Sequence, residues 1–203
     1  HLVWPSRFVM PHVPELRPRW MIRTGLFLYD HLARRASLPG SRAVRLDAPP
    51  YNAGLQPKLK HGFVYSDCRV DDARLVGANA MDARDRGVRV LTRTECVSAR
   101  RGQGDWTAVL STGEQVRAAA LVNAAGPWVK KVLNGRLSQP SRESVRLVKG
   151  SHIVLPRLYE GEHAFILQND DRRVVFMIPY GDLHTLVGTT DVPVEDEEAR
   201  PEA

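Results

Sequence analysis

The stretch Leu121-Val122-Asn123-Ala124-Ala125-Gly126-Pro127-Trp128 constrains the fold of this chain more than any other. Up to Asn123 it is an apolar run fit for a buried strand. Two alanines and a glycine then strip the backbone of side-chain bulk, and Pro127 ends the strand. A backbone bared in this way can lie directly against a bulky ligand, because glycine has no Cβ and alanine little beyond it. The same residues also make an ordinary strand-to-helix turn, so the segment selects strand, turn and helix and leaves their use open.

The chain around it falls into two styles. Pro5, Pro11, Pro14 and Pro18 forbid a long helix near the N-terminus and predict an extended edge segment over residues 2–18. Ile22, Leu26, Tyr29 and Leu32 recur at three and four residues, which predicts a helix from Trp20 to Ala33 that closes before the turn pair Pro39-Gly40. Arg17, Arg19, Arg23, Arg34 and Arg35 bracket that helix. A helix of this kind packs on its own domain with a solvated basic side, or lies on an anionic lipid surface. Residues 41–60, with Pro49-Pro50 and Asn52-Ala53-Gly54, predict a surface loop, and Gly62 to Asp67 alternates as a strand does.

Asp71 and Asp72 can cap a following helix whose slim apolar face is Ala73, Val76, Ala80 and Ala83, with Arg86-Gly87 as its stop. A strand over Val88 to Leu91, continuing through Val97, leads to a hairpin made of Trp106 to Leu110, a turn at Thr112-Gly113 and Gln115 to Ala119. The buried run Ala120 to Asn123 follows. Past Asn134-Gly135 and a polar stretch around Pro140 the chain turns to strands alone: Val145 to Leu155, Ala164 to Gln168, Arg173 to Ile178 and Thr185 to Gly188. Turn chemistry at Pro156, Asn169-Asp170-Asp171 and Tyr180-Gly181-Asp182 joins them into an antiparallel meander. The fold class is mixed, α/β and then α+β, with a boundary near residue 138.

Several function classes drop out. No run approaches the roughly 18 apolar residues of a membrane span, and no signal peptide is expected. Cys68 and Cys96 show neither metal-ligand spacing nor a disulfide framework, so no metal is expected, and the pair suits a reducing cytosol. The net charge of +6 invites a polyanion, but the arginines are dispersed and no basic stripe interleaves with aromatics, which argues against nucleic acid. Histidine is the natural proton acceptor near neutral pH. His1, His12, His31, His61, His163 and His184 fall in loops or on polar faces and read as solvated. His152 precedes Ile153-Val154-Leu155, so it belongs on a sheet with little water around it, as a core histidine or as a reacting group. Thr189 and Thr190 end a strand, where a hydroxyl caps a turn or meets a ligand; Arg172 and Arg173 flank a hairpin turn and read as solvated.

The Asn123-Ala124-Ala125-Gly126-Pro127-Trp128 turn, Lys149-Gly150-Ser151-His152-Ile153 and Gly188-Thr189-Thr190-Asp191-Val192 together resemble the FAD-dependent, respiratory glycerol-3-phosphate dehydrogenases, the bacterial members above all. The likeness extends through Trp20-Met21-Ile22-Arg23, Tyr29-Asp30-His31-Leu32, Ser37-Leu38-Pro39-Gly40, Tyr65-Ser66-Asp67-Cys68, Asp71-Asp72-Ala73-Arg74-Leu75 and Leu91-Thr92-Arg93-Thr94. It implies a partial glutathione-reductase-like FAD-binding domain over residues 1–137 and an antiparallel, flavin-capping substrate domain over 138–203. Val97, Ala124, Ala125, Gly126 and Trp128 are then the cofactor-binding residues. His152 and Thr189 are the catalytic ones, serving the oxidation of sn-glycerol 3-phosphate to dihydroxyacetone phosphate by hydride transfer to FAD, with quinone downstream.

The resemblance also implies a homo-oligomer and a cytoplasmic enzyme held peripherally at the inner membrane. The glycine-rich fingerprint that opens the family is not found here, and the arginines for the substrate phosphate fall outside the chain. An internal fragment is therefore expected, inactive by itself and weak or blank toward FAD. Two rivals stay open: another flavin oxidase or dehydrogenase of the same superfamily, and a non-enzymatic basic membrane-binding or interaction module built on the Trp20 to Ala33 helix.

Overall fold

Strand β1 (Val3–Pro11) lies inside a seven-stranded sheet and not at its edge. In the computed structural model, which describes residues 2–32, 37–139, 145–169, 171 and 173–195, the sheet order is β2-β3-β1-β8-β9-β10-β7. Arg34, Arg35, Pro140, Asp170, Arg172 and the tail beyond Glu195 lie outside the described residues. The prolines of β1 are tolerated because of how it pairs. Antiparallel pairing to β3 (His61–Val70) runs the whole length, from Val3 opposite Val70 to Pro11 opposite Gly62. Parallel pairing to β8 (Ala164–Gln168) is confined to Phe8 and Val9, so neither Pro5 nor Pro11 is asked for an N–H on that side.

Period-two alternation then builds two cores on the two faces of this sheet. Val9 and Val64 point to one face, where they meet Phe165 of β8 and Met177 of β9 (Val174–Tyr180). Met10, Phe63 and Tyr65, their neighbours in sequence, point to the other, where Ile22 and Leu26 of α1 (Arg19–His31) cover them. The first face is closed by residues 41–60. Expected as a surface loop, this segment forms β2 (Arg42–Arg45) on β3 and buries Leu46 and Tyr51, with Leu55 and Leu59 packed beside them. These apolar residues are spaced without a period, so they reach the core while looking irregular in sequence.

Helix α1 starts at Pro18, whose extended backbone and carbonyl receive the first turn. The described arginines of its basic cluster, Arg17, Arg19 and Arg23, are all exposed, but one of them is tied down. Arg23 donates to the Ser41 carbonyl and hydroxyl, and Ser41 in turn donates to Asp30 at 2.8 and 2.7 Å. Leu32, expected on the buried face, lies past the last helical turn and is exposed.

The last strands depart from a simple meander. β8, β9 and β10 (His184–Val194) pair antiparallel in order, while β7 (Leu147–Pro156), first in sequence, is placed beyond β10 at the sheet's far edge. The chain divides into two units, His1–Gly77 with Gly150–Val192 and Ala78–Lys149 with Pro193–Ala203. The grouping differs from one cut near residue 138, because β1 and β3 draw the N-terminal segment into the sheet of the first unit.

The second unit holds a three-stranded antiparallel sheet of β4 (Cys96–Arg101), β5 (Trp106–Leu110) and β6 (Gln115–Ala118). Its hairpin forms where expected, with Gly113 at φ +85. Helix α2 (Asp72–Asp85) is capped by the Asp71 carboxylate, which accepts from Arg74 N–H, and ends at Gly87 with φ +89. Three expectations fail in this part of the chain. Val88 to Leu91 and Ala120 to Asn123 are not strands, and α2 buries none of its residues. A strand exists only with a ladder partner, and among the described residues neither stretch has one; Val122 is 85% exposed.

Candidate active site

His152 and Thr189, 37 residues apart, meet across β7 and β10: the Thr189 hydroxyl stands 3.1 Å from His152 Nε2. When Nε2 is bare the hydroxyl donates to it, and when Nε2 carries hydrogen the hydroxyl accepts. Gly188 lies directly under the ring. His152 is on a strand as expected, but its side chain is exposed. The reason is the position of β7 as the last strand, where Val148 and Val154, on the same side of the strand as His152, are open as well. The imidazole is open to solvent, with the exposed Val154 on the same side of the strand.

The Asn123 to Trp128 turn belongs to the second unit and is shaped by Asn123 itself, which in sequence only marks the end of the apolar run. Asn123 Nδ2 donates to the Val129 carbonyl at 2.9 Å, and Asn123 Oδ1 accepts from Ala125 N–H at 3.3 Å. Thus fixed, the chain enters a short irregular helix, a 3₁₀ turn over Gly126–Trp128 followed by Val129–Lys131 and a π turn over Val132–Arg136. Gly126 has φ +55, a left-handed conformation that side chains disfavour, and nothing lies within 4 Å of where its Cβ would be. Ala124 and Gly126 are exposed, Ala125 is half-buried and Trp128 is exposed. The backbone is bare and open, as close approach of an extended cofactor requires, and in this respect the residues present fit FAD. Val97 stands partly exposed on β4 of the same unit.

His163, expected in solvent, is 7% exposed. Tyr51, Tyr159 and Phe165 surround its ring at centroid distances of 5.0, 5.1 and 4.9 Å, and its Nε2 has no hydrogen-bond partner. Burial pushes its pKa below the ordinary histidine value, against the pull of Glu162. The Tyr159 hydroxyl sits 2.8 Å from the His163 carbonyl and 2.9 Å from that of Met177. Burial raises the Tyr159 phenol and pushes Tyr65 up to about 12, so neither phenol loses its proton near neutrality. Arg173 forms an ion pair with Asp171 in its turn, the solvated role expected of it. Among the described residues no group of histidine, cysteine and carboxylate side chains could hold a metal, and no helix is long and apolar enough to cross a membrane.

A protein-family model for FAD dependent oxidoreductases matches residues 1–203. A glycerol-3-phosphate dehydrogenase of Pseudomonas aeruginosa is 54% identical over 204 residues, an overlap that takes in 98% of this chain and 39% of that protein. A D-erythritol 1-phosphate dehydrogenase of Brucella abortus is 48% identical over 96% of this chain and 40% of its own length. The crystal structure of a glycerol-3-phosphate dehydrogenase from Bacillus halodurans, complexed with FAD, superposes with a TM-score of 0.69 at 24% identity, covering 100% of this chain and 37% of that one. The chain thus spans about two fifths of the length of the relatives it matches. Its sheets, a mixed one and an antiparallel one with few helices, follow the fold of that structure. Matched by the family model from end to end, the chain belongs to the FAD dependent oxidoreductase family.

Proposed function

We propose that this chain is part of a flavin-dependent dehydrogenase that oxidises sn-glycerol 3-phosphate to dihydroxyacetone phosphate. The observation that carries the reading is the His152–Thr189 pair, held at 3.1 Å on an open sheet edge in a chain 54% identical to a glycerol-3-phosphate dehydrogenase. FAD supplies, when bound, the acceptor for the hydride that leaves C2 of the substrate. The work of His152 is to take the proton of the C2 hydroxyl on Nε2, so that the C–O bond can close to a ketone as the hydride departs. Thr189 orients the imidazole through its hydroxyl, whose single hydrogen turns from Nε2 to the substrate oxygen when Nε2 takes the C2 proton. Ala124, Ala125, Gly126 and Trp128, with Val97, serve nucleotide binding in a glutathione-reductase-like part of the second unit; their bare backbone supports that assignment. Quinone is the downstream electron acceptor in this reading.

The first unit also carries a membrane-docking surface on α1. Its outward side bares Trp20, Phe27, Leu28 and Leu32, next to exposed Arg17 and Arg19. Apolar side chains flanked by exposed cations suit an anionic lipid surface. Reversing Arg17 and Arg19 weakens vesicle binding by about 1 kcal/mol per charge, while Arg23, tied to Ser41, is excluded from the docking set. Unchanged co-sedimentation of the charge-reversed, full-length protein with anionic vesicles refutes the docking role.

Substrate class is tested by mixing the full-length flavoprotein, without oxygen, with sn-glycerol 3-phosphate and separately with D-erythritol 1-phosphate. Rapid flavin bleaching by the glycerol ester is the expected result. Bleaching by the erythritol ester alone moves the chain to the activity named for the Brucella relative, and bleaching by neither rejects the proposal.

A further inference from the structure

We infer that Gly188 is the residue that positions His152, by leaving the space in which the imidazole lies flat across β10. The inference rests on the role proposed above for His152. Where β7 and β10 meet, Arg157 N–H donates to the Leu183 carbonyl at 2.9 Å. Counting back along an antiparallel pair from that bond brings His152 opposite Gly188. A residue so placed ordinarily has its side chain standing beside its partner's, with the two Cβ atoms about 4.5–5.5 Å apart. Here a Cβ on residue 188 would lie 2.6 Å from His152 Cδ2 and 2.8 Å from Cγ. The ring therefore covers the α-carbon of residue 188.

This placement is what lets Nε2 reach Thr189. Successive side chains on a strand point to opposite faces, so a histidine standing upright opposite residue 188 would not meet the side chain of 189; one lying across the strand does, at 3.1 Å. Backbone conformation does not explain the glycine, since Gly188 lacks the positive φ seen at Gly87, Gly113 and Gly126. Room for the ring is the physical reason, together with the Ser151 carbonyl, which a Cβ at 188 would approach to 2.6 Å.

A double-mutant cycle in the full-length holoenzyme tests this, using Gly188→Ala, His152→Ala and both together, with kcat, KM, flavin content and melting temperature read for each. Gly188→Ala is expected to lower kcat on the order of 10²-fold, the loss of a general base, with KM within a few-fold and flavin retained. The double variant is expected to be no slower than His152→Ala alone, since residues acting as one unit are non-additive. The melting temperature is expected to fall in Gly188→Ala and to recover in part in the double variant, where the ring no longer collides and only the Ser151 carbonyl contact remains.

Retention of kcat within threefold in Gly188→Ala, or losses that multiply in the double variant, overturns the inference. If Gly188→Ala loses its flavin and the double variant regains it, the ring is the cause and the inference stands. If both lose it, the Ser151 contact alone requires glycine and the inference fails. A His152→Ala enzyme that keeps its turnover rejects the catalytic reading separately, and the melting cycle still reports whether Gly188 holds the ring.

Discussion

The two units draw on the same kinds of residue and bury them very differently. In the first, Val9, Val64 and Phe165 are fully buried, because the chain supplies its own cover: residues 46–59 close one face of the sheet and α1 part of the other. In the second, among the described residues, only Ala99 and Leu137 are buried, while Met81, Val88, Val90, Leu91, Val122 and Trp128 stand exposed. The difference teaches that apolar pattern alone does not make a core. A strand or helix face becomes interior only where another segment lies over it.

Substitutions in the two units sharpen the contrast. In the full-length protein Phe165→Ala is expected to cost about 3–5 kcal/mol of stability, since the ring is enclosed by Tyr159, His163 and the sheet. Met81→Ala, on a helix that buries nothing, is expected to stay within about 0.5 kcal/mol. Denaturant unfolding checks both, and a Met81→Ala loss matching that of Phe165→Ala erases the distinction.

A second, smaller effect is a pH dependence confined to the first unit. His163 is buried with its Nε2 unpartnered, and its folded pKa lies below the ordinary value of 6.5. Below about pH 6.5 the unfolded chain takes a proton that the folded chain refuses. The neutral ring's contribution to stability is therefore present above that pH and lost as pH falls toward the depressed folded value. His163→Phe is expected to remove this slope and, by deleting a desolvated nitrogen, to raise stability near neutrality by about 1–3 kcal/mol. An unaltered slope between pH 7 and pH 5 in the variant contradicts the assignment.

What the sequence discloses follows the same division between local and remote causes. The β5–β6 hairpin is legible because everything it needs lies within a few residues, from the Thr112-Gly113 turn to Val109 opposite Gln115. The cap of α2 is legible for the same reason. The interior position of β1 is not, because its second partner lies more than 150 residues away and holds it through two residues only. Burial of His163 is set by rings at 51, 159 and 165, which no period connects. The His152–Thr189 pair is found through shared motifs, yet its exposure depends on β7 taking the sheet edge, which order along the chain conceals. Asn123 is concealed differently: its two hydrogen bonds are local, but a polar side chain at the end of an apolar run looks like a mere boundary.

In the proposed function the reacting side chain is His152 of the first unit. The most direct test of that role is the anaerobic rate of flavin bleaching by sn-glycerol 3-phosphate in full-length His152→Ala set against the unaltered protein. A fall of roughly 10²–10⁴-fold with flavin content retained is predicted, the ordinary weight of a general base. A rate within threefold of the unaltered protein would contradict it and return His152 to a packing role.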